Sequence, residues 1–337
     1  MLATQLGERV LEIASEHVRR GTPPGLALAL VEDGEIADVR AFGLADRAAR
    51  APLSALQVFQ AASLAKCATA WAIARLWEQQ RVEFDVPIER YLPAGCLPGS
   101  PFDHSSITVR RVLSHTAGLS LPDIPGLEPG RAATALQVRA VEPAGSAFRY
   151  SGGGYALLAR ALEELTGERF AEHMARSVLE PLGMRRTSFD QDSPLANEAA
   201  CGHDEEGGAL PFYRYAAAAA AGLFTTAGDL ALFAAAHFDG PRGEPPGRGL
   251  LAPRTVAMLG ASSVSTKRAD GLWAAYGLGY EIEPLGGGRV LIGHHGANPG
   301  WRALLAIETS RRRALVALAN SDAASPALDA VLAAWRA

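Results

Sequence analysis

The chain has 337 residues, 48% hydrophobic and 20% charged, with a net charge of −4; this is enough for a large core and about two domains. The acidic balance leaves no basic surplus for nucleic acid or an anionic membrane surface. No run of about 18 apolar residues suggests a membrane span, and three cysteines (Cys67, Cys96, Cys201) without CxxC spacing argue against a disulfide framework or a zinc site.

From the N-terminus, residues 3–20 read as an amphipathic helix. Glu8, Arg9, Glu12 and Glu16 interrupt its apolar positions, so it lacks the pattern of a signal peptide, and a cytoplasmic location is the simplest expectation. Residues 25–31 and 36–42 read as strands joined by a tight turn at Glu32-Asp33-Gly34-Glu35. A buried helix is expected over 63–80. Helical spacing recurs over 108–115, 132–141, 151–166 and 168–180, broken by Gly and Pro. Two stretches, 118–131 and 240–249, are rich in Pro and Gly, and the first is long enough to be a functional loop. The alanine run 216–221 reads as small residues at a packed contact. Helix returns over 228–238, then strands over 276–283, 289–295, 302–308 and 314–319, and a closing helix over 326–335. Strands at both ends with helices between them imply a discontinuous α/β domain, 1–62 plus 220–337, carrying an inserted, mostly helical domain, 63–219.

Lys66 stands out chemically. Lysine and arginine together number 32, yet only Lys66 and Lys267 are lysines; the other 30 (32 − 2) are arginines. A guanidinium does not give up its proton, whereas a buried ammonium can be tuned to do so. A lysine kept in the apolar run 61–71 therefore points to a need for a titratable amine. Ser63 lies three residues earlier, on the same face of a helix, where hydroxyl and amine can meet as nucleophile and base.

Two further segments carry candidate chemistry. Tyr150-Ser151-Gly152-Gly153-Gly154 leads into a helical run, with glycines where backbone passes close to a neighbour. Ile292-Gly293-His294-His295-Gly296-Ala297-Asn298-Pro299-Gly300 leaves one strand and turns into the next. Adjacent histidines on a strand point to opposite faces and make a poor metal pair, so no metal is expected.

Taken together, in this order, Ser63-Leu64-Ala65-Lys66, Tyr150-Ser151-Gly152 and His294-His295-Gly296 resemble the motifs of the serine β-lactamase and penicillin-binding-protein superfamily. The likeness is to the branch of class C β-lactamases, esterases and D-peptidases. It extends to Gly25 through Gly34, Phe59 through Ser63, Glu83 through Pro87, Tyr91 through Pro93, Leu113 through Leu119, and Ala221 through Leu230. The resemblance implies an α/β (α+β) fold, an antiparallel sheet flanked by helices with the inserted helical domain. It implies Ser63 as acylated nucleophile, Lys66 and Tyr150 as the groups that share its proton, and no cofactor. It places an oxyanion hole at the backbone N–H groups of Ser63 and Ala297, and substrate contacts at Gly152, His294, His295 and Gly296. His115 is expected to fix a loop.

Two positions depart from the family pattern. Gly152 stands where relatives carry Asn, and His294 where they carry Lys. Both changes weaken β-lactam handling and fit an esterase-like, peptidase-like or acyl-transfer branch better; an esterase acting on small carboxylic esters is the leading expectation. The alternatives are a D-amino-acid peptidase or amidase, a β-lactamase or an acyltransferase, and, more distantly, a non-catalytic binding protein on this fold. The expected partner is a small ester, amide or peptide. The loops at 118–131 and 240–249 are expected to choose the acyl donor. His294 is expected to titrate near neutrality and to matter more than His295, whose side chain points to the other face.

Overall fold

The computed structural model describes residues 5–120, 138–261, 263–266 and 273–337. In chain order the strands are β1 (Gly25–Glu32), β2 (Glu35–Asp46), β3 (Ala51–Pro52), β4 (Phe59–Ala62), β5 (Leu223–Thr225), β6 (Val264–Ser265), β7 (Ala275–Tyr276), β8 (Glu281–Gly286), β9 (Arg289–Asn298), β10 (Trp301–Glu308) and β11 (Arg313–Ala319). The α-helices are α1 (Gln5–Arg19), α2 (Ala65–Glu78), α3 (Val109–Leu113), α4 (Gly152–Thr166), α5 (Phe170–Met174), α6 (Ala218–Ala221), α7 (Ala227–Ala235), α8 (Pro253–Leu259) and α9 (Ser325–Arg336).

Nine strands form one antiparallel sheet in the order β3-β2-β1-β11-β10-β9-β8-β7-β6, and β4 pairs with β5 in a small second sheet. The central strands are buried on both faces, and the period of two separates their side chains cleanly. Leu26, Leu28 and Leu30 of β1, with Leu315 and Ala317 of β11, pack on Val10 and Ala14 of α1 and on Leu328, Val331 and Trp335 of α9. Ala27, Ala29 and Val31, with Val316 and Leu318, face the other way, into the cluster that holds α2, α4 and α7. The β1–β2 hairpin turns on Asp33 and Gly34, whose φ angles of 51° and 81° are the paired left-handed values of a two-residue turn that follows strand twist. The fold is thus the expected antiparallel sheet flanked by helices.

Several expected boundaries are corrected. The strand over 276–283 is two strands, β7 and β8, separated at Gly277–Tyr280. The helix over 63–80 starts at Ala65, and that over 168–180 is α5 continued by a wider π turn, Ala175–Leu179. Of the helix expected over 132–141, the described part is extended, with Ala140 bridged to Leu119; the remainder, like residues 121–131 of the expected loop, lies outside the described residues. Large-sheet strands among the described residues come from 25–52 and 264–319, and the segment between supplies α2 to α8. We propose 1–62 plus 220–337 and 63–219 as the two structural units. One buried cluster, including Ala29, Trp71 and Leu158, joins them.

Candidate active site

Ser63 sits half-buried in the turn that links β4 to α2, two residues before the helix begins at Ala65. The preceding Ala62 holds φ at 48°, a left-handed value unfavourable for a residue with a side chain and characteristic of constrained sites. Strand β9 packs directly on this approach: a Cβ at Gly296 would lie 2.5 Å from the Ala61 carbonyl oxygen and 3.2 Å from Ala62 Cβ. Only a glycine permits that contact, and Ala297 is the residue that follows it in β9. Ala297 is exposed and pairs with Arg302 of β10. Asn298 then ties three elements together, its Nδ2 donating to Gln60 Oε1 at 2.9 Å and to the Ala221 carbonyl at 3.1 Å.

Lys66 is buried at 1% exposure. Its Nζ lies 3.2 Å from Ser63 Oγ and donates to the Ala220 carbonyl at 2.8 Å. The alanine run is therefore a packed contact with a second use: it turns a backbone carbonyl onto the amine. Burial drives the Lys66 pKa down from 10.5 to about 7, with Cys67 and Glu281 opposing the shift. The Tyr150 hydroxyl donates to Ser63 Oγ at 2.9 Å, and Nζ stands 4.7 Å from the Tyr150 ring centre. Burial pushes the Tyr150 phenol well above its usual range, although the bond to Ser63 works the other way. Tyr150, distant in sequence, thus joins Ser63 and Lys66 in one hydrogen-bonded group.

His115 fixes the loop that carries Tyr150. Its carbonyl accepts the Arg149 N–H at 2.8 Å, and its Nδ1 accepts the Ser151 N–H at 3.0 Å. Tyr150 lies between those two donors, and its ring centre is 4.3 Å from the imidazole. The backbone of His115 is itself left-handed, φ 57°, and burial holds the ring neutral. On the far side of Tyr150, Ser151 caps α4, accepting the Gly154 N–H at 3.1 Å. Gly152 is the first residue of that helix.

The two histidines of β9 part as the pleat requires. His294 is buried, accepts from the Tyr276 hydroxyl at 3.0 Å and stands 6.1 Å, ring to ring, from Tyr150. Burial lowers its pKa to about 4, which corrects the expectation that it titrates near neutrality. The amine of Lys66 occupies that range instead. His295 points away, donating from Nδ1 to Glu281 Oε2 at 2.9 Å, with its ring against Trp273 at 5.0 Å. Ala220, Tyr276 and Glu281 were not foreseen as neighbours of the site. Glu281, the first acid after Gly277-Leu278-Gly279-Tyr280, is the one with a sequence signal. Residues 241–248 of the second Gly/Pro-rich stretch border a cavity with Gly34, Ile36 and Leu232; none of the site residues lines it. Among the described residues no group of His, Cys, Asp and Glu is arranged to hold a metal, and no helix is long and apolar enough to cross a membrane.

Comparison with known proteins gives a consistent result. The family model described as Beta-lactamase matches residues 12–335. Penicillin-binding protein 4 of Amycolatopsis lactamdurans is 27% identical over 268 residues, 75% of this chain and 68% of that protein. The teichoic acid D-alanine hydrolase of Staphylococcus aureus is 26% identical over 194 residues, 56% of this chain and 47% of the relative. Among solved structures, the D-amino acid amidase from Ochrobactrum anthropi SV3 superposes with a TM-score of 0.81 at 24% identity, covering 98% of both chains, a likeness of fold.

Proposed function

The chain belongs to the β-lactamase family of serine hydrolases, and from that premise we propose that it works through an acyl-enzyme on Ser63, with small carboxylic esters as substrates. The observation that carries this reading is the convergence of the Lys66 amine and the Tyr150 hydroxyl on Ser63 Oγ, at 3.2 and 2.9 Å. With a pKa near 7, Lys66 is substantially neutral at physiological pH and has a lone pair for the serine proton, while its own N–H donates to Ala220. Tyr150 stays protonated and can donate. In this scheme Ser63 Oγ bonds to the substrate carbonyl carbon as its proton passes to Lys66. Tyr150 protonates the departing alkoxide and regains a proton from Lys66. Water then repeats the sequence to release the acid. The backbone N–H groups of Ser63 and Ala297 are our candidates for the oxyanion hole, where losing one donor typically costs ~3 kcal/mol in the transition state.

Esters are preferred because Gly152 and His294 supply neither the side-chain amide nor the fixed cation that β-lactam recognition uses in relatives. His294, neutral and bonded to Tyr276, cannot replace a lysine charge. A second reading, hydrolysis of D-aminoacyl esters or amides, is favoured by the names of the relatives in Staphylococcus and Ochrobactrum. Both readings are tested by one panel: p-nitrophenyl butyrate, D-alanyl amides and nitrocefin, with intact-mass detection of the acyl-enzyme. The expected order in kcat/KM puts the ester first and nitrocefin last. Wild-type adducts should sit on Ser63 and be absent from Ser63→Ala. Faster turnover of nitrocefin than of the ester would overturn the substrate reading, and a Ser63→Ala protein retaining a tenth of wild-type kcat would overturn the nucleophile.

A further inference from the structure

Tyr150 also forms one wall of a cavity of about 370 Å³, whose other lining residues are Phe148, Thr266, Trp273, Tyr276 and Glu281. Four of these six side chains are aromatic and one is a carboxylate. Phe148 and Tyr276 lie 5.5 Å apart between ring centres, and Tyr150 and Tyr276 meet edge to face at 6.5 Å. Among the described residues, Glu281 is hydrogen-bonded through one oxygen only. Its Oε2 accepts from the backbone N–H and the Nδ1 of His295, each at 2.9 Å. Its Oε1 is 3.9 Å from His294 Nδ1, beyond hydrogen-bond reach. The Nδ1 of His294 is in any case directed at the His295 carbonyl, 2.5 Å away.

Among the described residues that line this pocket, Glu281 is the one charged side chain. Burial works to raise the Glu281 pKa, but His294 and the hydrogen bonds from His295 outweigh it and hold the carboxyl down to about 2, so it is ionised. Aromatic faces present the negative end of their quadrupole to a cation, and a largely buried carboxylate with acceptor capacity to spare favours a positive partner. An anionic substituent would meet both the carboxylate and the ring faces unfavourably.

We infer that this cavity binds an ammonium group of the substrate, with Glu281 as its counter-charge and Phe148, Tyr150 and Tyr276 as its aromatic walls. The inference rests on the serine-hydrolase reading above, because Tyr150 is both a wall of this cavity and the donor to Ser63 Oγ. It names the substrate class more closely: an ester or amide carrying a primary or quaternary ammonium close to the scissile carbonyl.

Choline and 3,3-dimethylbutanol separate charge from shape, since the second replaces the nitrogen by carbon. Calorimetric titration of the wild-type protein should show choline binding at least tenfold more tightly, with the ratio falling towards one in Glu281→Gln. Turnover of butyrylcholine against 3,3-dimethylbutyl butyrate should show the same preference in kcat/KM and the same collapse. Phe148→Leu, which keeps the carboxylate and removes a ring face, should reduce the preference in part. Each ratio is internal to one variant and does not depend on how much of that variant is folded. Equal binding of the two alcohols by the wild type, or a preference unchanged in Glu281→Gln, would overturn the inference. If choline binds selectively but neither ester is cleaved, the pocket stands and the ester reading falls.

Discussion

At the scale of single residues, Lys66 has a task that its neighbours can be tested against. Arginine in its place would keep a charge but has no lone pair to accept a proton and is bulkier in a site closed by Ala62, Cys67 and Ala70. Lys66→Arg should therefore lose kcat by roughly 10²–10⁴, the usual value of a general base, and almost as much as Lys66→Ala. Because the amine must be neutral to act, kcat/KM should rise with pH through a limb centred near 7. His294→Ala should leave that limb in place, since His294 is held near 4. A limb that disappears with His294 would return the role to the histidine. His115 is tested differently. Its ring and carbonyl bracket Tyr150, so His115→Ala should lower kcat by about 10²-fold with little change in KM, the scale expected when a catalytic group shifts by an ångström. His115→Asn should recover most of it, because Asn tolerates positive φ and its Oδ1 can accept the Ser151 N–H. Equal loss in both variants would make His115 a packing residue only.

At the scale of elements, the sequence was most readable where period and turn chemistry agree. The β1–β2 hairpin and strands β10 and β11 follow from alternation and from Asp33-Gly34; Ser63 and Lys66 follow from spacing and a scarce lysine, and Tyr150 from the family resemblance. What sequence could not show is which distant backbone answers them. The carbonyl of Ala220 on Lys66 and the bracket of His115 around Tyr150 are tertiary contacts without local pattern. The broken strand at Gly277–Tyr280 has the same origin. Apolar alternation there reads as continuous strand, but Gly279 takes φ 90° and tucks under α2, its N–H bonded to the Leu113 carbonyl and its carbonyl accepting from Cys67 Sγ. A Cβ at this position would lie 2.6 Å from Ala70 Cβ and 3.1 Å from the Lys66 carbonyl oxygen. Gly279→Ala combines left-handed strain with a clash against the helix that carries Lys66. It should destabilise by about 1–3 kcal/mol in urea unfolding and reduce kcat. Gly286→Ala, at φ 82° with open space around it, provides the control for φ alone. If the two variants cost the same in stability and neither affects kcat, the packing of Gly279 beneath α2 has no bearing on the site.

For the molecule as a whole, the amine that serves the chemistry works against the fold. Lys66 is charged in the unfolded chain up to pH 10.5 but in the folded one only up to about 7. Between those values the unfolded state binds the extra proton, so stability rises with pH across that window and the full penalty applies below 7. At about 1.4 kcal/mol per unit, a shift of 3.5 units (10.5 − 7) amounts to a penalty on the order of 5 kcal/mol at low pH. Lys66→Met keeps an unbranched chain of similar length and removes the charge. Its loss of the hydrogen bond to Ala220 is independent of pH to first order, so the pH dependence isolates the amine. Relative to wild type, the variant should gain stability at pH 6 by about 2–3 kcal/mol more than at pH 9, read from urea unfolding at both values. It should be inactive at both. A stability difference that is flat across this range, or larger at pH 9, would mean that the folded protein does not force the amine towards neutrality. The base role assigned to Lys66 would then lose its physical ground, because the same desolvation that costs the fold its stability is what leaves a lone pair facing Ser63.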